Sequence, residues 1–228
     1  MSEFSDIQKR VLGLTTEHLA HYDEAGSQFL LTPQTLSAFK QLKSAAANAG
    51  FNLALISAYR GYDRQRIIWE GKLDGTRKVH DDNGVTIDLS HLGDEEKIAA
   101  IIRFSAIPGL SRHHLGTDID IFDANVMSKN QVMLEPFEVE TGGPFAPMHE
   151  WLDEQIEQGQ ACGFVRPFKE GSVTIAPERW HLSFQAEADA LLAHLTPELL
   201  VKLWQAYPIA LKDKLIASCD QYYRFFKG

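Results

Sequence analysis

The run Gly116-Thr-Asp118-Ile-Asp120-Ile-Phe122 constrains the fold of this chain more than any other stretch. Alternation of Asp118 and Asp120 with Ile119 and Ile121 predicts a strand with one apolar and one polar face. The isoleucines ask for a core on one side, and the aspartates stand on the other. Glycine at position 116 lets the backbone turn sharply just before this strand. His113 and Asp120 can therefore converge although they are seven residues apart.

The surrounding pattern sets the architecture. Thr32-Pro33 reads as a capped helix start, running through Leu36, Phe39 and Leu42 to a stop at Gly50. A short buried strand follows at 53–57, then a helix over 63–73 that carries Gln65, Ile68, Trp69 and Lys72. Residues 71–92 read as a long surface loop and 95–104 as a helix. Further on, 147–161 reads as a helix ended by Gly163, and 180–184 as a second alternating strand. Three helical pieces, 186–194, 197–207 and 210–226, close the chain. This irregular alternation predicts an α+β fold, a small antiparallel sheet flanked by helices with a C-terminal helical extension. At about 150 residues per domain, the 228 residues make one domain (1–195) with an extension (196–228) packed on it.

Composition excludes several classes. Apolar residues at 44% and charged residues at 23% are ordinary globular usage, so disordered and fibrous chains are ruled out. A net charge of −9 argues against nucleic acid as a partner. Cys162 and Cys219 fit neither a disulfide framework nor a metal-ligand spacing, and read as small apolar residues in a reducing compartment. The densest apolar stretch, 191–203, is broken by His194, Pro197 and Glu198, and the acidic N-terminal segment lacks the features of a signal peptide. The expectation is a cytoplasmic protein without a membrane partner, with periplasm or wall as the alternative.

Two stretches carry metal-type chemistry: Ser111-Arg-His113-His114 ahead of the Asp118–Asp120 strand, and Glu178-Arg-Trp180-His181 at the mouth of the other. Two imidazoles and one carboxylate make a three-ligand zinc site with its fourth position open, and a further carboxylate can act as general base. By residue type alone, satisfied core or surface polar positions are the better reading of the same groups.

A third stretch, Ser57-Ala-Tyr59-Arg60-Gly-Tyr62-Asp-Arg-Gln65, changes the weighting. Taken in order, SAYRGYDRQ, SRHHLGTDID and ERWH resemble the signature of the VanY-like D-alanyl-D-alanine carboxypeptidases. These belong to a wider group of zinc peptidases with the lysostaphin-type endopeptidases and the hedgehog domain. The resemblance spans Ser57 to Phe184. It implies a zinc site on the sheet held by His113, Asp120 and His181, with Glu178 as the base that activates water. It also implies that Arg60 contacts the substrate carbonyl or carboxylate, and that Gln65 and Ser111 help hold the peptide end. Family register favours His113 over the adjacent His114 as ligand. Asp118 stands where the pattern has a small residue, and reads either as a partner of a ligand histidine or as a solvated strand residue. Gly61 replaces a hydroxyl residue, and Leu182-Ser-Phe184 departs from the pattern after His181. Trp180 reads as core or as cleft wall.

The resemblance thus implies a zinc carboxypeptidase that cleaves a D,D- or L,D-bond of a small cell-wall-type peptide. The alternative is a non-catalytic zinc-containing domain that binds peptide or protein. Glu178 separates the two, since a domain that only binds needs no acid three residues before a ligand. A homodimer through the C-terminal helices is the further partner expectation.

Overall fold

The structure, a computed structural model, describes residues 4–168 and 174–227. Its centre is a four-stranded antiparallel sheet of β3 (Leu53–Ser57), β4 (Asp118–Asp123), β5 (Phe164–Val165) and β6 (His181–Phe184), in the order β3-β4-β6-β5. A separate antiparallel hairpin, β1 (Ala20–Glu24) and β2 (Ser27–Leu31), precedes it. The fold class is α+β, as the sequence pattern predicts.

Register does much of the positioning. Asp120 pairs with His181 and Asp118 with Ser183 across β4 and β6, while Asp120 faces Ser57 across an irregularity in β3. The apolar face of the sheet packs Leu55, Ile119, Ile121 and Leu182 against Phe39 and Leu42 of α2 (Pro33–Asn48) and Met148 and Leu152 of α6 (Ala146–Glu157). The other face of β4 is not solvated. Asp118 and Asp120 are both buried, so their carboxylates must be answered inside the protein.

A second apolar cluster lies beside the sheet. Trp69 of α3 (Tyr62–Leu73) and Ile98 and Ile101 of α4 (Asp94–Ile102) pack with residues of α7 (Gln185–Leu192), α8 (Pro197–Ala206), α9 (Lys212–Ala217) and α10 (Cys219–Lys227). Leu199, Leu200, Leu203 and Trp204 of α8 and Tyr222 of α10 spend their apolar surface within the chain. The indole of Trp69 donates to Ala210 O at 3.2 Å and that of Trp204 to Pro108 O at 2.8 Å. Losing the Trp204 side chain would cost about 3–5 kcal/mol.

Several boundaries differ from the sequence pattern. Helix α6 stops at Glu157, because left-handed Gly159 (φ 69°) ends it; Gly163 (φ 84°) turns the chain into β5 instead. The expected helix over 210–226 is two helices, since Ser218 (φ −113°, ψ 20°) leaves helical geometry. Within the 71–92 loop, His80 and Thr86 form an isolated antiparallel bridge. The short helices α1 (Asp6–Val11) and α5 (Pro136–Val139) complete the set. Among the described residues no helix is long and apolar enough to cross a membrane.

Candidate metal centre

His113 sits in a single 3-10 turn, Arg112–Leu115, that Gly116 ends in the left-handed region (φ 74°). A Cβ at position 116 would lie 2.5 Å from Leu19 Cδ2, so both conformation and space require glycine here. The N–H of Arg60 donates to His113 O at 3.0 Å, tying the arginine loop to this turn. His113 Nδ1 donates to Ala58 O at 2.8 Å, leaving Nε2 facing Asp120 Oδ2 at 3.2 Å.

His181 enters from β6 with the opposite nitrogen. Its Nδ1 lies 3.1 Å from Asp120 Oδ1, and its Nε2 donates to Asp118 Oδ1 at 3.0 Å. The two imidazole rings are 4.7 Å apart and nearly perpendicular. One atom from each of His113, Asp120 and His181 falls within 4.8 Å of the others, and all three residues are buried.

This cluster fits a metal ion on two grounds. Asp120 Oδ1 is fully buried and has no hydrogen-bond partner among the described residues. Two nitrogens and one carboxylate oxygen are also a donor set suited to zinc. Without a metal, a proton fills part of the need. Burial would lower the pKa of His181, but Asp118 and Asp120 outweigh it and hold it at about 9. Burial keeps His113 below its ordinary value.

Asp118 accepts from His181, from Arg112 Nε at 2.7 Å and from the Thr117 hydroxyl at 2.7 Å. It fixes the ring of His181 and is not a solvated strand residue. His114 is equally buried but spent: its Nδ1 donates to Arg60 O, and its Nε2 accepts from Gly109 N–H at 3.1 Å. Burial pushes its pKa down to about 3, so the ring is neutral and neither nitrogen is open to a metal.

Glu178 stands beside the triad and outside it, its Oε2 3.8 Å from His181 Nδ1. Burial raises its pKa to about 7, with His181, Arg60 and Lys72 pulling the other way. Arg60 donates from Nη1 to Gln65 Oε1 at 2.9 Å and from Nη2 to Ser57 Oγ at 3.3 Å.

Gln65 corrects one expectation. Its side chain is buried, its oxygen holds Arg60, and its Nε2 donates to Ala106 O at 2.6 Å. Both ends of the amide are used inside the fold, so Gln65 braces Arg60 and does not reach a peptide. Ser111 lines a cleft of about 400 Å³ together with Arg60, His113, Asp120, Glu178 and His181. Trp180 is both core and cleft wall. Phe168, which no sequence signal marks, packs on His181 with ring centroids 4.9 Å apart.

A buried His–Asp–His cluster on an antiparallel sheet, with a separate half-buried glutamate and an arginine at one cleft, defines a candidate peptidase site. Residues 28–187 match the VanY family, described as D-alanyl-D-alanine carboxypeptidase, and the chain belongs to that family. Two uncharacterized proteins of Haemophilus influenzae are similar to it. One is 43% identical over 96 residues, covering 42% of this chain and 66% of the relative. The other is 34% identical over 118 residues, covering 50% and 88%. Among solved structures, the LdcB LD-carboxypeptidase superposes with a TM-score of 0.51 at 22% identity, covering 82% of this chain and 78% of that one. VanYB in complex with D-alanine-D-alanine gives 0.50 at 20% identity, covering 84% and 92%. A VanY D,D-pentapeptidase variant in complex with Zn(II) gives 0.50 at 20%, covering 83% and 92%. At these identities the superpositions speak for the fold.

Proposed function

We propose that this chain is a zinc-dependent carboxypeptidase that removes the terminal residue of a small peptidoglycan-type peptide, at a D,D- or L,D-bond. The observation that carries this reading is Glu178, half-buried on the cleft 3.8 Å from His181 yet outside the His113–Asp120–His181 cluster. A peptide-binding domain without catalysis has no use for an acid in that position.

His113 Nε2, one oxygen of Asp120 and His181 Nδ1 would hold the zinc. Bound zinc supplies Lewis acidity that polarises the scissile carbonyl and eases deprotonation of the attacking water. Glu178 takes that proton on its carboxylate and returns it to the leaving amine. Arg60, braced by Gln65 and Ser57, presents its guanidinium to the developing oxyanion or to the terminal carboxylate. Ser111, on the cleft lining, holds the peptide end. The free cysteines Cys162 and Cys219 support a reducing compartment, and with it soluble wall precursors or recycled peptides as substrates.

The test is a panel of muropeptides ending in D-Ala-D-Ala or L-Lys-D-Ala. These are incubated with zinc-loaded and chelated protein, and products are read by mass. Loss of one terminal residue only with zinc is the expected result; no cleavage in any arm sinks the reading.

A further inference from the structure

Four residues of the cleft come from one stretch of chain, the connection between β5 and β6: Phe168, Ile175, Glu178 and Trp180. Two of them face the metal cluster from outside. Phe168 packs on the ring of His181, and Glu178 approaches the same ring to 3.8 Å. Among the described residues no hydrogen bond holds the Glu178 carboxylate, and His181 is its one ion-pair partner. Its place in the cleft is therefore set by the backbone that carries it.

The two ends of this connection meet on a single carboxylate. Arg166, one residue past β5, donates from Nε to Asp153 Oδ1 at 2.6 Å. Arg179, next to Glu178 and two residues ahead of β6, donates from Nη2 to Asp153 Oδ2 and from Nη1 to Val139 O at 2.5 Å. Asp153 thus gives one oxygen to each arginine, and among the described residues it is the one carboxylate paired with two of them. His149 stands one turn earlier on α6, and its Nδ1 accepts from Arg166 Nη2 at 3.3 Å. Burial and the two arginines hold its pKa well below the ordinary value, so the ring is neutral and that nitrogen can accept.

An ion pair at a half-exposed site adds little to stability, yet it can fix a position. The strands β5 and β6 are already held by their own ladder, and Trp180 by its core cluster. What the two arginines add is the placement of the residues between those anchors. That placement matters, because an error of about 1 Å in a reacting group costs up to about a hundredfold in rate.

We propose that Asp153 is a positioning residue of the peptidase site: by clamping Arg166 and Arg179 it holds the β5–β6 connection so that Glu178 stands against His181. This rests on the peptidase reading above and adds to it a residue of α6 that lies outside the cleft lining.

The experiment is a double-mutant cycle between Asp153 and Glu178. Asp153→Asn keeps the size of the side chain but leaves it one acceptor oxygen, so it cannot serve both arginines. In zinc-loaded protein acting on a peptide ending in D-Ala, it should lower kcat by about tenfold, with KM, zinc content and Tm nearly unchanged. In the Glu178→Gln background the same substitution should change the residual rate by less than about twofold, because the positioned group is already gone. Wild-type kcat in Asp153→Asn, whatever its KM, overturns the proposal. An equal loss in both backgrounds shows that the effect does not pass through Glu178, and overturns it too. If Asp153→Asn does not fold, the cycle is run with Arg179→Gln and the same outcomes decide. If the wild-type protein cleaves nothing, the peptidase reading fails by itself. Crystal structures of wild-type and Asp153→Asn protein then decide the clamp, and a Glu178 carboxylate displaced by less than about 0.5 Å overturns it.

Discussion

Asp118 Oδ1 accepts a hydrogen bond from His181 Nε2 at 3.0 Å, on the opposite edge of the ring from the nitrogen that faces Asp120. The pairing fixes which nitrogen of His181 points into the cluster and makes it the better donor. Removing the charge while keeping the shape, as in Asp118→Asn, should weaken zinc binding by about 10–100-fold. Competition against a chromophoric chelator measures this directly. An unchanged affinity would mean that β6 alone orients the ring.

Glu178 gives a pH signature. Its carboxylate must be ionised to take a proton from water, and burial raises its pKa to about 7. Activity should therefore rise with pH along an acidic limb and be lost as pH falls. A bound dication favours the ionised form and draws that limb below 7. Glu178→Gln should retain zinc while kcat drops by about 10²–10⁴, with the limb gone from the residual rate. Metal content by elemental analysis, with kcat/KM followed against pH, tests both halves.

Much of this site is legible in the residues themselves. The 118–122 alternation predicts β4, and the glycine before it predicts the turn that presents His113. What the alternation cannot show is that the polar face of β4 is buried, because that depends on β6, more than fifty residues later in the chain. Asp118 reads ambiguously for the same reason: its partners Arg112 and His181 come from two other segments. Gln65 lies at the expected position in its motif but is turned inward by Ala106 O, a contact that leaves no mark in the local sequence. The β1–β2 hairpin is absent from the sequence reading because it turns on Ala25-Gly26, both left-handed, where an Asn-Gly or Asp-Gly pair would have signalled it.

Arg60 should not tolerate lysine. Its two terminal nitrogens are held by Gln65 and Ser57, which sets the plane of the guanidinium. A lysine keeps the charge but has no fork to lock into these acceptors. Arg60→Lys should lower kcat/KM by at least about tenfold with zinc content unchanged. Gln65→Ala should move kcat/KM in the same direction, since it releases the brace. Wild-type turnover in Arg60→Lys would place the residue outside the reaction.

Removal of the metal should destabilise the protein, increasingly so as pH rises. Zinc at a hundred times its Kd contributes about 2.7 kcal/mol, or roughly 5–10 °C in Tm for a chain of this size. In the chelated protein a proton on His181 answers Asp118 and Asp120 in place of the metal. The folded pKa, about 9, is above the ordinary 6.5. The contribution of that proton is thus complete below about pH 6.5 and is lost as pH climbs through 9. Glu178 acts in the same direction at lower pH: the fold favours its neutral form when no metal is near, so stability is lost as pH climbs from the ordinary 4.5 through about 7 and is flat above that. Zinc competes with the proton for His181, so its own affinity rises over the same range. Melting curves of zinc-loaded and chelated protein, taken from pH 6 to pH 9, should therefore diverge steadily. Parallel curves would show that His181 carries no proton in the metal-free fold and that Asp118 and Asp120 are answered by other groups.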